Sequence, residues 1–338
     1  MLSGGAADPR LGIDQAIAAE RMGLETVWLS ERWGTKDLGA VAGAIGQATQ
    51  RVNIAAGITP FQTRHPLLLA SLAGTLQSLT GGRFILGLGR GGSWLSGLGV
   101  PPTATARVVV DTVTILRRLW AGETVSYHGP AGDYPALRLT DLPCDVPPPP
   151  LVLAALGPRS LELAGRHFDG ALLPAFLTTD AVARASAAVR AAAAAAGRDP
   201  AAVLVHATVI VMADRPPAEE AVVSGRAVTY LQAPVHGERL ARLNGWDPRR
   251  LDPMLAHPRI AALGNTLADT VYRPHDLVDA GRLLPHEWLK ESTATGSSAQ
   301  CVGRLREYAA AGADRLVLHG SPPELLARTV STFLDGAL

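Results

Sequence analysis

Short apolar runs, each followed by a stretch with helical periodicity, recur along the chain, and this alternation limits the fold more than any other feature. Glu25–Leu29, Val52–Ile58, Arg83–Leu88, Leu151–Ala155, Gly170–Leu173, Val203–Met212 and Arg315–His319 read as strands. Helices are expected over Ile13–Met22, Leu38–Gln50, Pro66–Leu79, Thr105–Trp120, Ser160–His167 and Thr179–Ala196, in a long region after Met212, and over Pro323–Phe333. Pro66 falls in a first helical turn, where its missing N–H is not needed. Ser297-Ser298-Ala299-Gln300 is a capping-box pattern that opens a further helix over Cys301–Ala311. Repeated strand–helix units require a parallel sheet with helices outside it. The expected fold is therefore α/β, a (β/α)8 TIM barrel. Its remaining strand would precede Ile13, but "MLSGGAADPR" looks like the loop after a strand, so the first strand is expected to be missing or truncated.

The 338 residues are read as a single barrel domain, 1–338, with insertions at about 122–150 and 246–296. The first is proline-rich and ends in Pro147 to Pro150, and both are too long for plain connections. Basic and acidic residues nearly cancel, 31 against 30, which argues against a nucleic-acid or membrane surface as partner and leaves a small-molecule substrate. Cys144 and Cys301 lie far apart, with neither metal spacing nor a disulfide framework, as suits a reducing cytoplasm. His128, His167 and His257 have no partner at ligand spacing, so no metal site is expected.

Barrel enzymes carry their chemistry at the C-terminal ends of the strands. Ser30, Glu31, Arg32 and Trp33 follow one strand; Gly57, Ile58, Thr59, Arg64 and His65 follow the next. Gly89, Arg90, Gly91, Ser93 and Trp94 follow a third, and His319 ends the last. Arginine forks, bare backbone and aromatic surfaces suit a flat, anionic ligand. Each also has a plainer reading: Glu31 and Arg32 as a rim ion pair, His65 as a helix cap, the tryptophans as packing, His319 as a core histidine. "AALGPRS" is the best anion candidate, because a strand ends at Ala155, Gly157 lets backbone approach, and Pro158, Arg159 and Ser160 open a helix with outward amides. "GLGRGG" is no dinucleotide fingerprint: the third glycine is misplaced and the next strand ends in alanine.

"AAERMGLETVWLSER", "TRHPLLLASLAGTLQSLTGGRFILGLGRG", "LAALGPRSLELAGRHFDGALL" and "LREYAAAGADRLVLHG" together resemble the luciferase-like monooxygenase superfamily, in particular its coenzyme F420-dependent oxidoreductase branch from actinobacteria. The resemblance runs from about residue 12 to 335 and implies a barrel with insertions, a homodimer, and F420 as cofactor, with FMN as the alternative. It places the cofactor ring on a strand bulge at Gly57-Ile58 that often carries a non-proline cis peptide, with Thr59 beside it. It implies that Gly89, Arg90 and Gly91 line the ring and ribityl chain, the cofactor taking the space their side chains would fill. The phosphate would lie on Ala155 and Gly157 to Ser160, and Arg159, with Arg64 and Arg90, would hold the acidic tail of F420. Sugar-phosphate and alcohol-oxidising members carry an acidic–histidine pair after the second strand and a glutamate after the fourth. Here the positions hold Glu31-Arg32 and Gly92 or Ser93, so those members' acid–base pair does not transfer. Glu31, Arg32 and His65 are the candidates for orienting or protonating substrate. An FMN-dependent monooxygenase, a cofactor-free barrel enzyme and a non-catalytic flavin-binding relative are the rival readings.

Overall fold

The computed structural model describes all residues except 3–7, 32–35, 93–94, 96–98, 101–103, 142–145, 234 and 336–338. Two compact units form within the chain. The first comprises Met1–Ala155, Arg159–Leu172 and Val189–Val203; the second comprises Leu156–Pro158, Leu173–Ala188 and Leu204–Leu338.

The first unit is built on parallel strands β1 (Thr26–Leu29), β2 (Asn53–Ala56), β3 (Thr59–Pro60) and β4 (Phe84–Gly89). An antiparallel hairpin, β5 (Val125–Gly129) and β6 (Gly132–Leu137), precedes the parallel strands β7 (Leu151–Ala154) and β8 (Gly170–Leu173). The parallel register sets Val27 beside Ile54, Ile54 beside Phe84, Leu86 beside Leu151 and Val152 beside Gly170. These positions are buried, as expected of strands covered on both faces. The helices are α1 (Arg10–Arg21), α2 (Leu38–Ala48), α3 (Pro66–Leu79), α4 (Ala106–Trp120), α5 (Pro158–His167) and α6 (Thr179–Ala195), and side-chain caps start α2, α3 and α4. The Asp37 carboxylate accepts from Ala40 N (2.9 Å) at α2, and Thr105 Oγ1 accepts from Val108 N (3.2 Å) at α4. Among the described residues no strand precedes β1, although Leu2 N donates to Trp28 O (3.0 Å) along its edge.

The second unit holds β9 (Leu204–Ala213), β10 (Thr293–Gly296) and β11 (Arg315–His319), with helices α7 (Val222–Leu231), α8 (His236–Leu243), α9 (His286–Ser292), α10 (Ser298–Ala310) and α11 (Pro323–Asp335). β11 pairs with β9 from His206 to Ile210, and β10 pairs with it from Ile210 to Ala213. The capping box at α10 forms as expected: Gln300 N donates to Ser297 Oγ, and Ser297 N to Gln300 Oε1.

Both stretches read as insertions contain ordered strands. In the first, the β5–β6 hairpin is mostly exposed and interrupted by prolines, so it lacks the apolar alternation that marks a strand in sequence. It is held by Tyr127 stacked on Tyr134, ring centroids 6.2 Å apart. In the second, β10 is only Thr-Ala-Thr-Gly and depends on β9 being long enough to pair with two strands along its length.

Candidate active site

The chain leaves β2 at Ala56, makes a cis peptide at Gly57–Ile58, and resumes as β3. The cis peptide thus stands where the family resemblance put it. Gly57 N donates to Leu29 O (2.6 Å), Glu31 N to Ile58 O (3.4 Å), and Ser30 Oγ to Gly57 O (3.2 Å), which ties the bulge to the end of β1.

The bulge explains the glycines of β4. A Cβ on Gly87 would drive into the Ala56 carbonyl, and one on Gly89 into the Ile58 side chain. The expectation that a cofactor takes the space left by Gly89 is therefore corrected: the neighbouring bulge fills it. Arg90, just after β4, is held by the protein itself. Arg90 Nε donates to Ala104 O (2.8 Å), while Arg90 O accepts from Ala104 N (2.8 Å) and Gln62 Nε2 (3.0 Å). Gly91 follows with φ +76°, a conformation suited to glycine. With its amide nitrogen fixed on Arg90, Gln62 keeps Oε1 buried and without a hydrogen-bond partner among the described residues.

Glu31 is 8% exposed and meets Arg64. One guanidinium nitrogen, Nη1, bonds both Glu31 Oε2 and Thr59 Oγ1 (2.8 Å); Nη2 reaches Glu31 Oε1 (3.3 Å) and Asp37 (3.5 Å). Burial works against the charge on Arg64, but hydrogen bonding to Glu31 outweighs it and holds the guanidinium pKa above its ordinary value. Arg64 is thus committed to a fork-to-carboxylate pair, which corrects its expected role on a cofactor tail. His65, the next residue, does not join. Its Nδ1 accepts from Leu67 N (3.2 Å) as the cap of α3, and its ring packs edge-on against Tyr134, centroids 5.0 Å apart. The helix-cap reading of His65 is the one its contacts support. Arg32, with Trp33, Ser93 and Trp94, lies outside the described residues.

The residues of "AALGPRS" stay together. Ala155 N donates to Leu172 O (3.0 Å), Gly157 is buried, and Pro158 begins α5, with Arg159 exposed and Ser160 half-buried. Sequence reasoning missed Arg239. This residue of α8 lies over Gly157, its Cδ 3.5 Å from where a side chain would begin there. Neighbouring Arg242 pairs with Glu238 (2.9 Å), whereas Arg239 makes no hydrogen bond or ion pair among the described residues. A groove bounded by Val235, Glu238, Arg239, Arg242 and Leu243 adjoins it. The only signal in the sequence was the basic spacing of "HGERLAR", which is common on solvated helices. Cys301 is buried, with Sγ 3.2 Å from Ala294 O, and burial pushes its thiol up to about 11.

The profile of the family described as luciferase-like monooxygenase matches residues 1–315. The chain is 30% identical over 195 residues to a 5,10-methylenetetrahydromethanopterin reductase of Methanolobus tindarius, covering 57% of this chain and 59% of the relative. It is 32% identical over 201 residues to an F420-dependent hydroxymycolic acid dehydrogenase of Mycobacterium tuberculosis, covering 56% and 55%. The chain thus matches little more than half the length of these curated relatives. Among solved structures, a coenzyme F420-dependent tetrahydromethanopterin reductase from Methanopyrus kandleri superposes with a TM-score of 0.81 at 19% identity, over 99% of this chain and 97% of that one. That likeness establishes the α/β barrel class of the fold.

Proposed function

Because the chain belongs to the luciferase-like monooxygenase family, we propose that it is an oxidoreductase that works with coenzyme F420 and moves a hydride to or from a small organic substrate. F420 in the names of relatives and of a structural neighbour supports this reading. The observation that carries it is the turn at Gly157. A cation beside the start of a helix is disfavoured by the helix dipole unless an anion joins it. Arg239 lies over such a turn without an ionic partner among the described residues, so the residues present fit a phosphate held by the bare backbone at Gly157 and by Arg239. Bound there, F420 would supply the hydride chemistry through its ring.

The chain's own residues would bind and orient. The buried Oε1 of Gln62 offers an acceptor to a ligand N–H or O–H. Arg64, itself steadied by Thr59, holds Glu31 as a paired carboxylate, which suits it to orienting a donor group on the substrate. FMN remains the second reading, favoured by the monooxygenase description of the matched family. The test is fluorescence and absorbance titration with F420, FMN and NADPH in turn. Micromolar binding of F420 alone is the expected result, and binding of neither F420 nor FMN would sink the proposal.

The same reading includes a homodimer. α2 and α3 contain no charged residue, unlike α1, α4 and α5, and α3 exposes Leu68 (63%) and Leu79 (51%). Such a face suits a second copy. Light scattering should report a dimer that Leu68→Arg converts to monomer; a monomeric parent chain would refute this. A cytoplasmic location belongs to the proposal too. Among the described residues no helix is long and apolar enough to cross a membrane.

A further inference from the structure

The helix that carries Arg239 is short. α8 has eight residues, and isolated helices of that length are unstable in water. Its place is therefore set by what it packs on, all within the second unit. At its start, Val235 gives no side-chain cap. Gly237 lies so close to the end of α7 that a Cβ there would strike Leu231 O at 1.9 Å. At its other end, Arg184 Nη2 donates to Leu243 O (2.6 Å). Beside it, Asn244 Nδ2 donates to Phe176 O (2.8 Å), and Asn244 Oδ1 accepts from Thr178 N (2.9 Å). These two partners fix which way the amide faces.

The segment that Asn244 grips is strained and buried. Phe176, just after β8, is 1% exposed and adopts φ +66°, a conformation that residues with side chains seldom take. Next to it, Leu177 O accepts from Tyr308 Oη (2.6 Å). Buried backbone groups need partners, and Asn244 supplies them on both sides of Leu177. Asn244-Gly245 also has a plainer role, as the stop of a helix. That stop uses the Asn244 backbone N–H, which bonds Leu240 O (3.2 Å), and Gly245 at φ +76°. The side chain is engaged elsewhere, 66 and 68 residues away in sequence.

Asn244 and Arg239 lie about 7.5 Å apart along one helix axis. A shift of α8 at Asn244 is thus carried to Arg239. There Cδ, Nε and Nη1 lie between 3.5 and 3.9 Å from where a Gly157 side chain would start. Hydrogen bonds tolerate little displacement, and a recognition group has to be held to within about 0.5 Å.

We propose that Asn244 is a positioning residue for anion recognition: by clamping the end of α8 to Phe176 and Thr178, it sets Arg239 over the bare backbone at Gly157. Asn244 acts through Arg239. The inference rests on the oxidoreductase reading for the identity of the anion, a phosphate of the cofactor, but the geometry is testable with inorganic phosphate alone.

The experiment compares the parent chain, Asn244→Ala, Arg239→Ala and the double variant, each shown to melt cooperatively. Asn244→Ser replaces Asn244→Ala if the latter does not fold. Each is titrated with F420 and with its phosphate-free deazaflavin precursor. Asn244→Ala should weaken F420 about tenfold, the worth of one charge-assisted contact, and leave the precursor within about twofold. In the Arg239→Ala background the same change should cost no more than about twofold, because the two residues act as one. General loosening of the fold would instead move both ligands alike. Equal losses for F420 and precursor, or losses that multiply to about a hundredfold in the double variant, would overturn the proposal.

The second readout is 15N nuclear magnetic resonance of Gly157 without cofactor. In the parent, a nuclear Overhauser contact from Gly157 to the Arg239 δ-methylene is expected, with a saturable Gly157 amide shift on adding inorganic phosphate. Both should weaken in Asn244→Ala, while the contact of Gly237 with Leu231 persists. An unchanged Gly157–Arg239 contact and phosphate response in that variant would also overturn the proposal. No F420 binding in the parent, with a phosphate response that depends on Asn244, would refute the cofactor and leave the positioning role standing. F420 binding that ignores Asn244 would refute the positioning role and leave the cofactor standing. A parent chain with neither F420 binding nor a phosphate response would overturn both.

Discussion

Two glycine-bearing strand ends carry arginines in this protein, and they are built in opposite ways. After β4, Gly87 and Gly89 are filled by the Gly57–Ile58 bulge, and the nearby Arg64 is locked to Glu31, Thr59 and Asp37. After β7, the nearest atoms to a Cβ on Gly157 belong to the side chain of Arg239, at ordinary contact distance, and that arginine has no ionic partner among the described residues. The first region is closed by protein; in the second, Arg239 is the side chain nearest the bare backbone, and the anion site belongs to the proposal. Glycine and arginine together do not identify a ligand site. What decides is whether the protein itself supplies the atoms and charges they face.

Four measurements would break or sharpen this contrast. The largest effect is expected from Arg64→Met, which strands the 3% exposed Glu31 carboxylate without its partner. Breaking a buried pair from one side costs about 3–5 kcal/mol. Chemical denaturation should show such a loss, whereas Arg239→Met should leave the denaturation midpoint where it is. Comparable losses in both variants would erase the difference between the two arginines.

A buried base tests the same principle from the other side. His206 is 6% exposed, and burial, reinforced by Arg315, pushes its pKa down from 6.5 to about 4. The unfolded chain therefore binds the proton more readily between these values. Stability is full above about pH 6.5 and falls as pH drops toward 4, by about 3 kcal/mol across the window. Melting temperatures over that range should fall steeply in the parent chain and less steeply in His206→Phe; parallel curves would show that His206 is not a source of the slope.

Next come the glycines. Gly87→Ala should cost about 1–3 kcal/mol, since its Cβ meets a backbone carbonyl that cannot turn aside. Gly157→Ala should melt like the parent while binding F420 more weakly. A stable Gly87→Ala variant would mean that the bulge yields easily.

The smallest effects are in cofactor binding. Arg239→Ala should weaken F420 about tenfold, the worth of one charge-assisted contact. Arg159 is exposed on the first turn of α5, and Arg159→Ala should weaken F420 only about threefold, with little loss for the tail-free precursor. Equal losses for both ligands would remove Arg159 from the tail.

How much of this could be read in advance follows the range of each interaction. Periodicity and capping act over a few residues, so the strand–helix alternation and the helix starts at Pro66, Pro158 and Ser297 were all legible in the sequence. The hairpin and β10 were not, because they are stabilised by partners rather than by their own pattern. The site divides in the same way. The sequence by itself determined which residue types gather at the strand ends. Only the tertiary structure decided that Arg64 belongs to Glu31, that Arg239 covers Gly157 and that Ile58 fills the space beside Gly89, because each depends on where a bulge or a distant helix sets a side chain within a few ångströms.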